Sequence, residues 1–352
     1  MIKVAALTSG ALVPSSRFRV RQHIDPLKSC GVFVREYLPR IDKYRELPFW
    51  PRNVDYRAGL PLFLVWQGIK VSLRVPGIVG SWRHQVTWLE RQLVPGMVTL
   101  EPFLRRPLVF DVDDAIWLNP PFRSSAWRIA KRSTVLVAGN QYLADRFSPF
   151  AEDIRIVPTA VDTDRFLPRT VPRSAESGTF TVGWIGSSAN LGFLQSLEEP
   201  LSKFLADHAD ARILIVADRP FRFSLVPADR VHFSPWSENT EVAALQAMDV
   251  GLMPLPDDDW SRGKCSYKML QYLACGIPVA VSPVGMNREI LSMGPLGMGC
   301  TRPDEWYETL SFFWNDRSAA LRYGAVGRDI VERTFSRRLV TEKLAAIFRS
   351  LA

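Results

Sequence analysis

Two lysines and an arginine follow a short apolar run in the last third of the chain. Arg262 and Lys264 come after Val250–Leu255, and Lys268 lies four residues beyond Lys264. We expect a strand over the apolar run and a helix over residues 264–275, which places these cations around a helix N-terminus that itself attracts anions. Lysines four residues apart share one helix face. The pattern favours a diphosphate site, although an isolated pair with this spacing is also typical of a solvated helix surface.

Three aspartates mark the end of a second predicted strand. The run Leu108–Val112 contains Asp111 and ends just before Asp113 and Asp114. Ligands of open α/β sheets bind at the carboxyl ends of the strands, so we expect Asp113 to orient a polar ligand. Two other interpretations stay open. Asp111 and Asp113 form an Asp-x-Asp pair that could hold a divalent cation, and an acidic strand end can also cap a following helix.

Short apolar runs alternate with longer amphipathic stretches around these residues. In the first half we predict strands at Ile2–Leu7, Val32–Tyr37, Leu108–Val112 and Thr134–Ala138, with helices near 17–29, 84–93, 124–132 and 140–148. In the second half we predict strands at Phe180–Ile185, Arg212–Val216, Val231–Phe233, Val250–Leu255 and Val279–Ser282, with helices near 189–206, 238–248, 264–275, 303–315 and 336–350. This alternation predicts an α/β fold in which two Rossmann-like domains face each other across a ligand cleft.

Length and composition support two domains. The chain has 352 residues, of which 47% are hydrophobic and 23% charged, which excludes general disorder. We place an N-terminal domain at 1–168, a linker at 169–178, a second domain at 179–335 and a C-terminal helix at 336–352 that could pack back on the first domain. No uninterrupted apolar stretch of about 18 residues occurs, so we predict no transmembrane helix. Four scattered cysteines favour a cytoplasmic location.

The chemistry-bearing segments resemble a known family. Gly263–Glu289, with the sequence GKCSYKMLQYLACGIPVAVSPVGMNRE, resembles the donor-binding segment of retaining GT-B nucleotide-sugar glycosyltransferases of family 4, or glycosyltransferases group 1. Ile156–Asp162, Thr181–Ser187 and Asp249–Leu255 resemble other segments of that family in the same order. The resemblance covers residues 105–335 and is loose before them.

The resemblance implies that the second domain binds a nucleotide-diphosphate sugar and that the chain transfers the sugar with retention, without a metal or other cofactor. It implies that Lys264 and Lys268 stabilise the departing phosphate, while Asp113 orients a sugar hydroxyl. The implied diphosphate contacts are Gly186, Ser187, Arg262, Lys264 and Lys268, and Ser266 is a further implied donor contact. The implied base and ribose contacts are Trp236, Gln271 and Glu289.

Two departures from the family pattern concern the donor site. The family has a Glu-x7-Glu motif, and the alignment puts Gly263 at its first glutamate and Gln271 at its second. A Gln amide can still hydrogen bond to a ribose, but it carries no charge. The family's basic pair after the first strand of the second domain is also missing, because Gly186–Asn190 contains no Lys or Arg.

The first part of the chain is strongly basic. Residues 1–106 contain 17 Lys and Arg against 7 Asp and Glu, a net charge of +10, whereas the remainder carries 27 against 29. We expect Arg17, Arg19 and Arg21 to bind the acceptor, an unknown glycan or lipid-linked molecule. The wide apolar stretch Leu60–Val75 is either a core helix or a helix on an anionic membrane surface. Nothing in the sequence favours a nucleic-acid partner.

Other function classes stay open. The missing glutamate pair is compatible with a non-catalytic nucleotide-sugar-binding or scaffold protein. A different Rossmann-type enzyme, such as a sugar-nucleotide epimerase or a phosphorylase, is a further alternative. An NAD enzyme would be expected to carry Gly-x-Gly-x-x-Gly after the first strand, and Thr8–Pro14 does not.

Overall fold

The computed structural model describes residues 1–45, 56–170 and 178–352. The strands are β1 (Ile2–Leu7), β2 (Val32–Tyr37), β3 (Val86–Glu90), β4 (Leu108–Val112), β5 (Val135–Ala138), β6 (Ile154–Ile156), β7 (Phe180–Ile185), β8 (Ala211–Ala217), β9 (Val231–Pro235), β10 (Val250–Met253), β11 (Val279–Val281) and β12 (Gly297–Gly299). The α-helices are α1 (Ile24–Ser29), α2 (Tyr56–Ser72), α3 (Val75–Ser81), α4 (Ser125–Ala130), α5 (Gln141–Phe147), α6 (Leu191–Gln195), α7 (Glu198–Asp207), α8 (Glu241–Gln246), α9 (Asp259–Arg262), α10 (Tyr267–Ala274), α11 (Met286–Leu291), α12 (Pro303–Asn315), α13 (Arg317–Thr334) and α14 (Arg337–Ser350). A π-helical turn at Ser16–Val20 leads through Arg21–His23 into α1.

The strands form two parallel six-stranded sheets, which confirms the predicted α/β class. The first sheet has the order β2-β1-β3-β4-β5-β6, and the second has the order β12-β11-β10-β7-β8-β9. The inner strands β3, β4, β5, β7 and β10 are buried along their whole length. Such strands read as continuous apolar runs because helices cover both faces of a parallel sheet.

The chain divides into two compact units. Unit 1 comprises residues 1–160 and 337–352, and unit 2 comprises residues 161–336. Residues 161–168, which we assigned to the first domain, lie with unit 2 because Arg328 of α13 donates hydrogen bonds to the carbonyls of Phe166 and Thr163. Most of the predicted linker, residues 171–177, lies outside the described residues.

The C-terminal helix α14 lies in unit 1. The Nδ1 atom of His23 is 2.7 Å from Thr341 Oγ1, and Arg349 donates a hydrogen bond of 2.7 Å to the carbonyl of Cys30. The ring of Phe348 lies 5.1 Å from that of Trp88. The last helix therefore completes the core of the first sheet.

One predicted helix is wrong, and several elements were missed. Residues 84–93 contain β3, in the middle of the first sheet, where a helix was expected. Thr87 and Glu90 interrupt the apolar residues of β3, so this segment shows neither a continuous apolar run nor a clear alternation. The edge strands β6 and β12 have three residues each, too few for a sequence signal. The predicted helix over 189–206 is divided into α6 and α7.

One segment has the length and apolarity of a membrane span, although we expected none. Leu62–Ser81 has a mean hydropathy of 1.3, and 22% of it is buried. In the structure the segment is divided between α2 and α3, with a break at residues 73–74.

Candidate functional site

The candidate site in unit 2 lies at the carboxyl ends of the strands of the second sheet, which we call the edge of that sheet. Because all of its strands are parallel, the loops after β7, β9, β10 and β11 leave the same edge of the sheet. These loops carry Gly186 and Ser187, Trp236, the segment 254–266, and Ser282–Gly285 in turn. Parallel α/β sheets bind their ligands at this edge.

A hydrogen-bonded connection fixes the start of α10. Ser266 adopts a left-handed conformation, with φ of 50° and ψ of 27°, and α10 begins at the next residue. Its hydroxyl donates a hydrogen bond of 2.7 Å to Asn287 Oδ1, and Asn287 Nδ2 donates one of 3.0 Å to the carbonyl of Ser282. The predicted ligand contact Ser266 thus uses its hydroxyl to join two loops of the site and to orient α10.

Lys268 and the predicted contact Gly186 lie against each other. A Cβ atom on Gly186 would lie 2.6 Å from Lys268 Cε, so only glycine leaves room for the lysine side chain. The ammonium group of Lys268 lies 5.1 Å from the centroid of the Trp184 ring. Burial and the positive charge of Lys264 lower the pKa of Lys268 to about 7. A bound anion at this point would relieve the repulsion between the two lysines.

The other predicted cations lie on the loop before α10. Lys264 Nζ is 5.0 Å from the centroid of the Trp260 ring. Arg262 Nε donates a hydrogen bond of 2.7 Å to Asp257 Oδ1, and this hydrogen bond and the charge of Arg262 lower the pKa of Asp257. Arg262 is therefore already paired with an acid, in contrast to Lys268.

The sequence analysis missed Arg288. Its charge also lowers the pKa of Asp257, so it lies near the same carboxylate as Arg262. Arg288 Nε donates a hydrogen bond of 2.9 Å to the carbonyl of Pro283. A Cβ atom on Gly285 would lie 2.7 Å from the carbonyl oxygen of Arg262. The residue directly before α11, the helix that carries Arg288, therefore touches the end of α9. The signal was present as a basic residue one position before Glu289, in the segment that resembles the donor site.

Gln271 lies on α10 with only 4% of its surface exposed. Within the part of the chain that the structure describes, its side-chain amide makes no hydrogen bond. The amide atoms are not fully buried, so water or a ligand can reach them and supply their hydrogen bonds. Gln271 is therefore suited to hydrogen bond with a polar ligand group.

Trp236 and Glu289 follow different strands of the second sheet. Trp236 comes directly after β9, and Glu289 lies on α11, after β11. Four strand steps separate β9 from β11. That both residues line one base and its ribose stays a prediction. Trp236 is 42% exposed and donates a hydrogen bond from Nε1 to Glu241.

An acid lies beside the glycine-containing loop after β7. Asp218 accepts a hydrogen bond of 2.5 Å from the backbone N–H of Ser188 and one of 2.8 Å from its hydroxyl. Partial burial acts to raise the pKa of Asp218, but the Ser188 hydrogen bonds hold it below the usual value. Ser187, the predicted contact in this loop, is exposed, and its hydroxyl accepts a hydrogen bond from Asn190. The positive charge of the candidate site therefore comes from Lys264 and Lys268 and not from the loop after β7.

In unit 1, Asp113 is held by an arginine that the sequence analysis did not single out. Arg91 Nε donates a hydrogen bond of 2.5 Å to Asp113 Oδ1, and its guanidinium lies 3.6 Å from Asp114. Burial acts to raise the pKa of Asp113, yet Arg91 holds it below the usual value. Arg91 itself has a φ of 57°, a left-handed conformation directly after β3. The pair fixes the ends of β3 and β4 and keeps Asp113 ionised.

Arg19 lies in the interior, which corrects its predicted acceptor role. It is 3% exposed, and its Nε donates a hydrogen bond of 2.9 Å to Asp111 while its NH1 donates one of 2.8 Å to the carbonyl of Val157. Asp111 also accepts from Trp88, and burial raises its pKa to about 6 despite Arg19. With these partners, Arg19 and Asp111 hold the core together.

The neighbouring arginines differ in exposure. Arg21 forms a bidentate pair with Glu36 and donates hydrogen bonds to the carbonyls of Ala11 and Gly10, so it fixes the loop after β1. Arg17 is partly exposed, with its guanidinium carbon 4.5 Å from the centroid of the Phe18 ring. Of the predicted acceptor contacts, Arg17 is the one whose position is compatible with that role. Among the described residues, no group of three or more metal-ligating side chains is present.

Solved structures share this fold over the whole chain. A sucrose-phosphate synthase from Thermosynechococcus elongatus is 15% identical, with a TM-score of 0.71, and the match covers 100% of this chain and 99% of that one. The Anabaena protein HepE in complex with UDP and glucose is 14% identical, with a TM-score of 0.67 and coverage of 99% and 100%. A glycosyltransferase from Rickettsia africae is 13% identical, with a TM-score of 0.65 and coverage of 99% and 98%. At these identities the matches show the fold, which is the predicted GT-B type.

A sequence comparison adds a family match within the second unit. No curated protein matches the chain in sequence. Residues 179–316, which include the candidate site of unit 2, match the model of the family Glycosyl transferases group 1. The chain thus combines a GT-B fold with a segment that matches a glycosyltransferase family.

Proposed function

We propose that the protein is a glycosyltransferase that transfers a sugar from a nucleotide-diphosphate sugar to a glycan or lipid-linked acceptor. The observation that carries the proposal is the pair Lys264 and Lys268 at the start of α10. Two neighbouring cations and a helix N-terminus suit a diphosphate. The match of residues 179–316 to Glycosyl transferases group 1 supports the same conclusion, as do the UDP and UDP-glucose complexes of the fold neighbour HepE.

The reaction would break the bond between the anomeric carbon and the β-phosphate oxygen and form a bond from the acceptor oxygen on the same face. The leaving phosphate would take the acceptor proton. Negative charge then grows on the β-phosphate, where Lys264 and Lys268 would stabilise it. A fixed donor to such a developing charge is worth about 3–4 kcal/mol.

Further groups would orient the donor. Gly186 would leave room for Lys268 and for the phosphates, and the amide of Gln271 would hydrogen bond to the ribose. Arg288 joins Arg262 as a source of positive charge near the sugar nucleotide. Asp113, kept ionised by Arg91, would orient a sugar hydroxyl. Retention and independence from metal ions belong to this proposal, as does a cytoplasmic location.

The test is a panel of UDP-, GDP-, ADP- and dTDP-sugars. A donor that binds is expected to raise the Tm of the protein and to release nucleoside diphosphate in the presence of EDTA. If no sugar nucleotide changes the Tm or is turned over, the proposal fails. Turnover that requires Mg²⁺ or Mn²⁺ would contradict its metal-independent part.

A second candidate function is a non-catalytic nucleotide-sugar-binding protein. The observation that favours it is Gly263 at the position where the resembled family has the first glutamate of its motif. A donor that raises the Tm but is neither hydrolysed nor transferred, with any acceptor tried, would support this alternative.

A further inference from the structure

Helix α2 and the adjoining α3 have an unusual orientation in unit 1. Their outer surface is apolar and exposed, formed by Leu62, Leu64, Val65, Ile69, Val75 and Val79, which we call the apolar face. Leu64 and Val65 are 58% and 59% exposed. A helix on the surface of a globular protein normally turns such residues inward.

Two cations of the same segment, Lys70 and Arg74, point the other way. Lys70 is 7% exposed, and its Nζ donates a hydrogen bond of 2.9 Å to the carbonyl of Lys43. Arg74 is buried as well and donates one of 2.6 Å to the carbonyl of Thr8. The segment therefore has its cations inside and its apolar side chains outside, the reverse of the arrangement that water favours.

The segment cannot cross a bilayer as one helix without dismantling unit 1. Besides the inward Lys70 and Arg74, α3 packs tightly on the sheet. A Cβ atom on Gly77 would lie 2.9 Å from Leu7 Cδ2, and one on Gly80 would lie 2.1 Å from Tyr37 Cζ. The segment can therefore contact a membrane only with its helices parallel to the bilayer surface, with the apolar side chains in the interface.

The charges around the apolar face fit an anionic surface. Residues 56–110 contain seven Lys and Arg, of which Lys70 and Arg74 are turned inward and Arg91 is paired with Asp113, but only two acids, Glu90 and Glu101. Both acids are 1% exposed, so this stretch adds almost no negative charge to the surface. Arg83 and Arg106, by contrast, are exposed.

Aromatic residues continue the apolar face. Trp82 and Phe103 are each 62% exposed, and Trp82 Nε1 donates a hydrogen bond of 3.0 Å to the carbonyl of Phe103. Arg105 donates a hydrogen bond of 3.1 Å to the carbonyl of Trp82. An indole ring beside arginines is typical of residues at the boundary between headgroups and acyl chains.

We propose that the apolar face, with Trp82 and the surrounding arginines, docks unit 1 on the surface of an anionic lipid bilayer. The apolar side chains enter the boundary between headgroups and acyl chains, and the arginines contact lipid phosphates. Docking does not depend on the donor site of unit 2. A membrane-bound unit 1 would place the protein where lipid-linked acceptors are found.

The test is co-sedimentation of the full chain with vesicles of phosphatidylcholine, with and without phosphatidylglycerol, in the absence of any sugar nucleotide. The wild type is expected to bind the anionic vesicles, less tightly at high salt. The double variant Val65→Glu/Ile69→Glu is expected to bind at least about tenfold more weakly. Leu321→Glu is the matched control, since Leu321 is 46% exposed on α13 in unit 2, and it is expected to bind like the wild type.

Two further measurements separate the contribution of the arginine charges to vesicle binding from the insertion of Trp82 into the bilayer. Removing one arginine charge, as in Arg83→Gln or Arg106→Gln, is expected to weaken vesicle binding about fivefold. Brominated lipids are expected to quench the fluorescence of the wild type more than that of Trp82→Phe.

Three results would overturn the proposal. The first is a wild type that does not bind anionic vesicles at low salt, and the second is a double variant that binds them like the wild type with an unchanged Tm. The third is a dimer in sedimentation velocity that the double variant abolishes, without vesicle binding, because a second copy of the chain would then cover the face. Because these assays contain no sugar nucleotide, their failure would leave the proposed glycosyl transfer to its own test.

Discussion

The two units use their cations in different ways. In unit 1 two arginines are paired with acids, Arg19 with Asp111 and Arg91 with Asp113. In unit 2, Lys264 and Lys268 lie over indole rings, and the charge that most affects Lys268 is the like charge of Lys264. The acid-paired arginines hold a fold together, whereas Lys268, whose charged neighbour has the same sign, is suited to bind an anion.

This difference shows why net charge is a poor guide to an anion site. Residues 1–106 carry a net charge of +10 and the remainder carries −2, yet the best candidate anion site lies in the second part. Arg19, Arg74, Lys43 and Lys70 are buried and bond to carbonyls or to an acid, so they contribute little to the surface. The net charge of a segment therefore indicates an anion site only after buried cations, and cations already paired with an acid, have been left out of the count.

The largest expected effect is on the stability of unit 1. Arg19→Met leaves Asp111 buried without its cation and should lower the free energy of unfolding by about 3–5 kcal/mol. Unfolding by urea, followed by circular dichroism, measures it. The double variant Arg19→Met/Asp111→Asn should recover most of the loss, because no uncompensated charge remains. If the single variant is as stable as the wild type, Arg19 is not the internal cation that the comparison requires.

The second expected effect is on catalysis in unit 2. Lys268→Met keeps the length of the side chain but removes its charge, so it should lower the transfer rate about 10²–10³-fold while the protein stays folded. Lys203→Met is the matched control, because Lys203 also lies over an aromatic ring in unit 2, that of Tyr307 at 4.3 Å. Initial rates with a donor found in the panel measure both variants. Equal rates in both would remove the distinction between a ligand-binding and a structural lysine.

The pH dependence of donor binding sharpens the same comparison. The pKa of Lys268 is lowered to about 7, so above pH 7 the lysine loses the proton that a diphosphate requires. Donor affinity should therefore fall above pH 7, by at most about tenfold per pH unit, and binding should take up a proton. Calorimetry in buffers of different ionisation enthalpy measures this uptake. Lys268→Met should bind weakly at every pH in this range, and an unchanged pH profile in that variant would assign the effect to another group.

The smallest expected effect concerns Gln271. Gln271→Ala removes one hydrogen bond to the ribose, worth about 1 kcal/mol, so donor affinity should fall about fivefold. Gln271→Glu should keep an acceptor for the ribose and lose less. Affinities for the nucleoside diphosphate, measured by calorimetry, would decide this, and an unaffected Gln271→Ala would remove Gln271 from the donor site.

Much of the fold could be predicted because local sequence signals agreed with it. Strands β1, β2, β4 and β7 have the predicted bounds, since each is a short apolar run between polar turns. Strand β3 was missed because Thr87 and Glu90 interrupt its five residues, which therefore do not form a continuous apolar run. The position of residues 161–168 depends on hydrogen bonds from Arg328, which is more than 150 residues further along the chain.

The sequence by itself determined the α/β class, the alternation of elements and the basic segment at the start of α10, because these depend on residues close together in the chain. Tertiary structure alone decided which of the cations can bind an anionic ligand. Arg19 and Lys268 are both basic residues of predicted helices that follow a strand. In the structure Arg19 pairs with Asp111, whereas Lys268 lies near Trp184 and Lys264. Burial and the charge of distant partners set the free energy of an ionised group, and neither is encoded in the residues beside it.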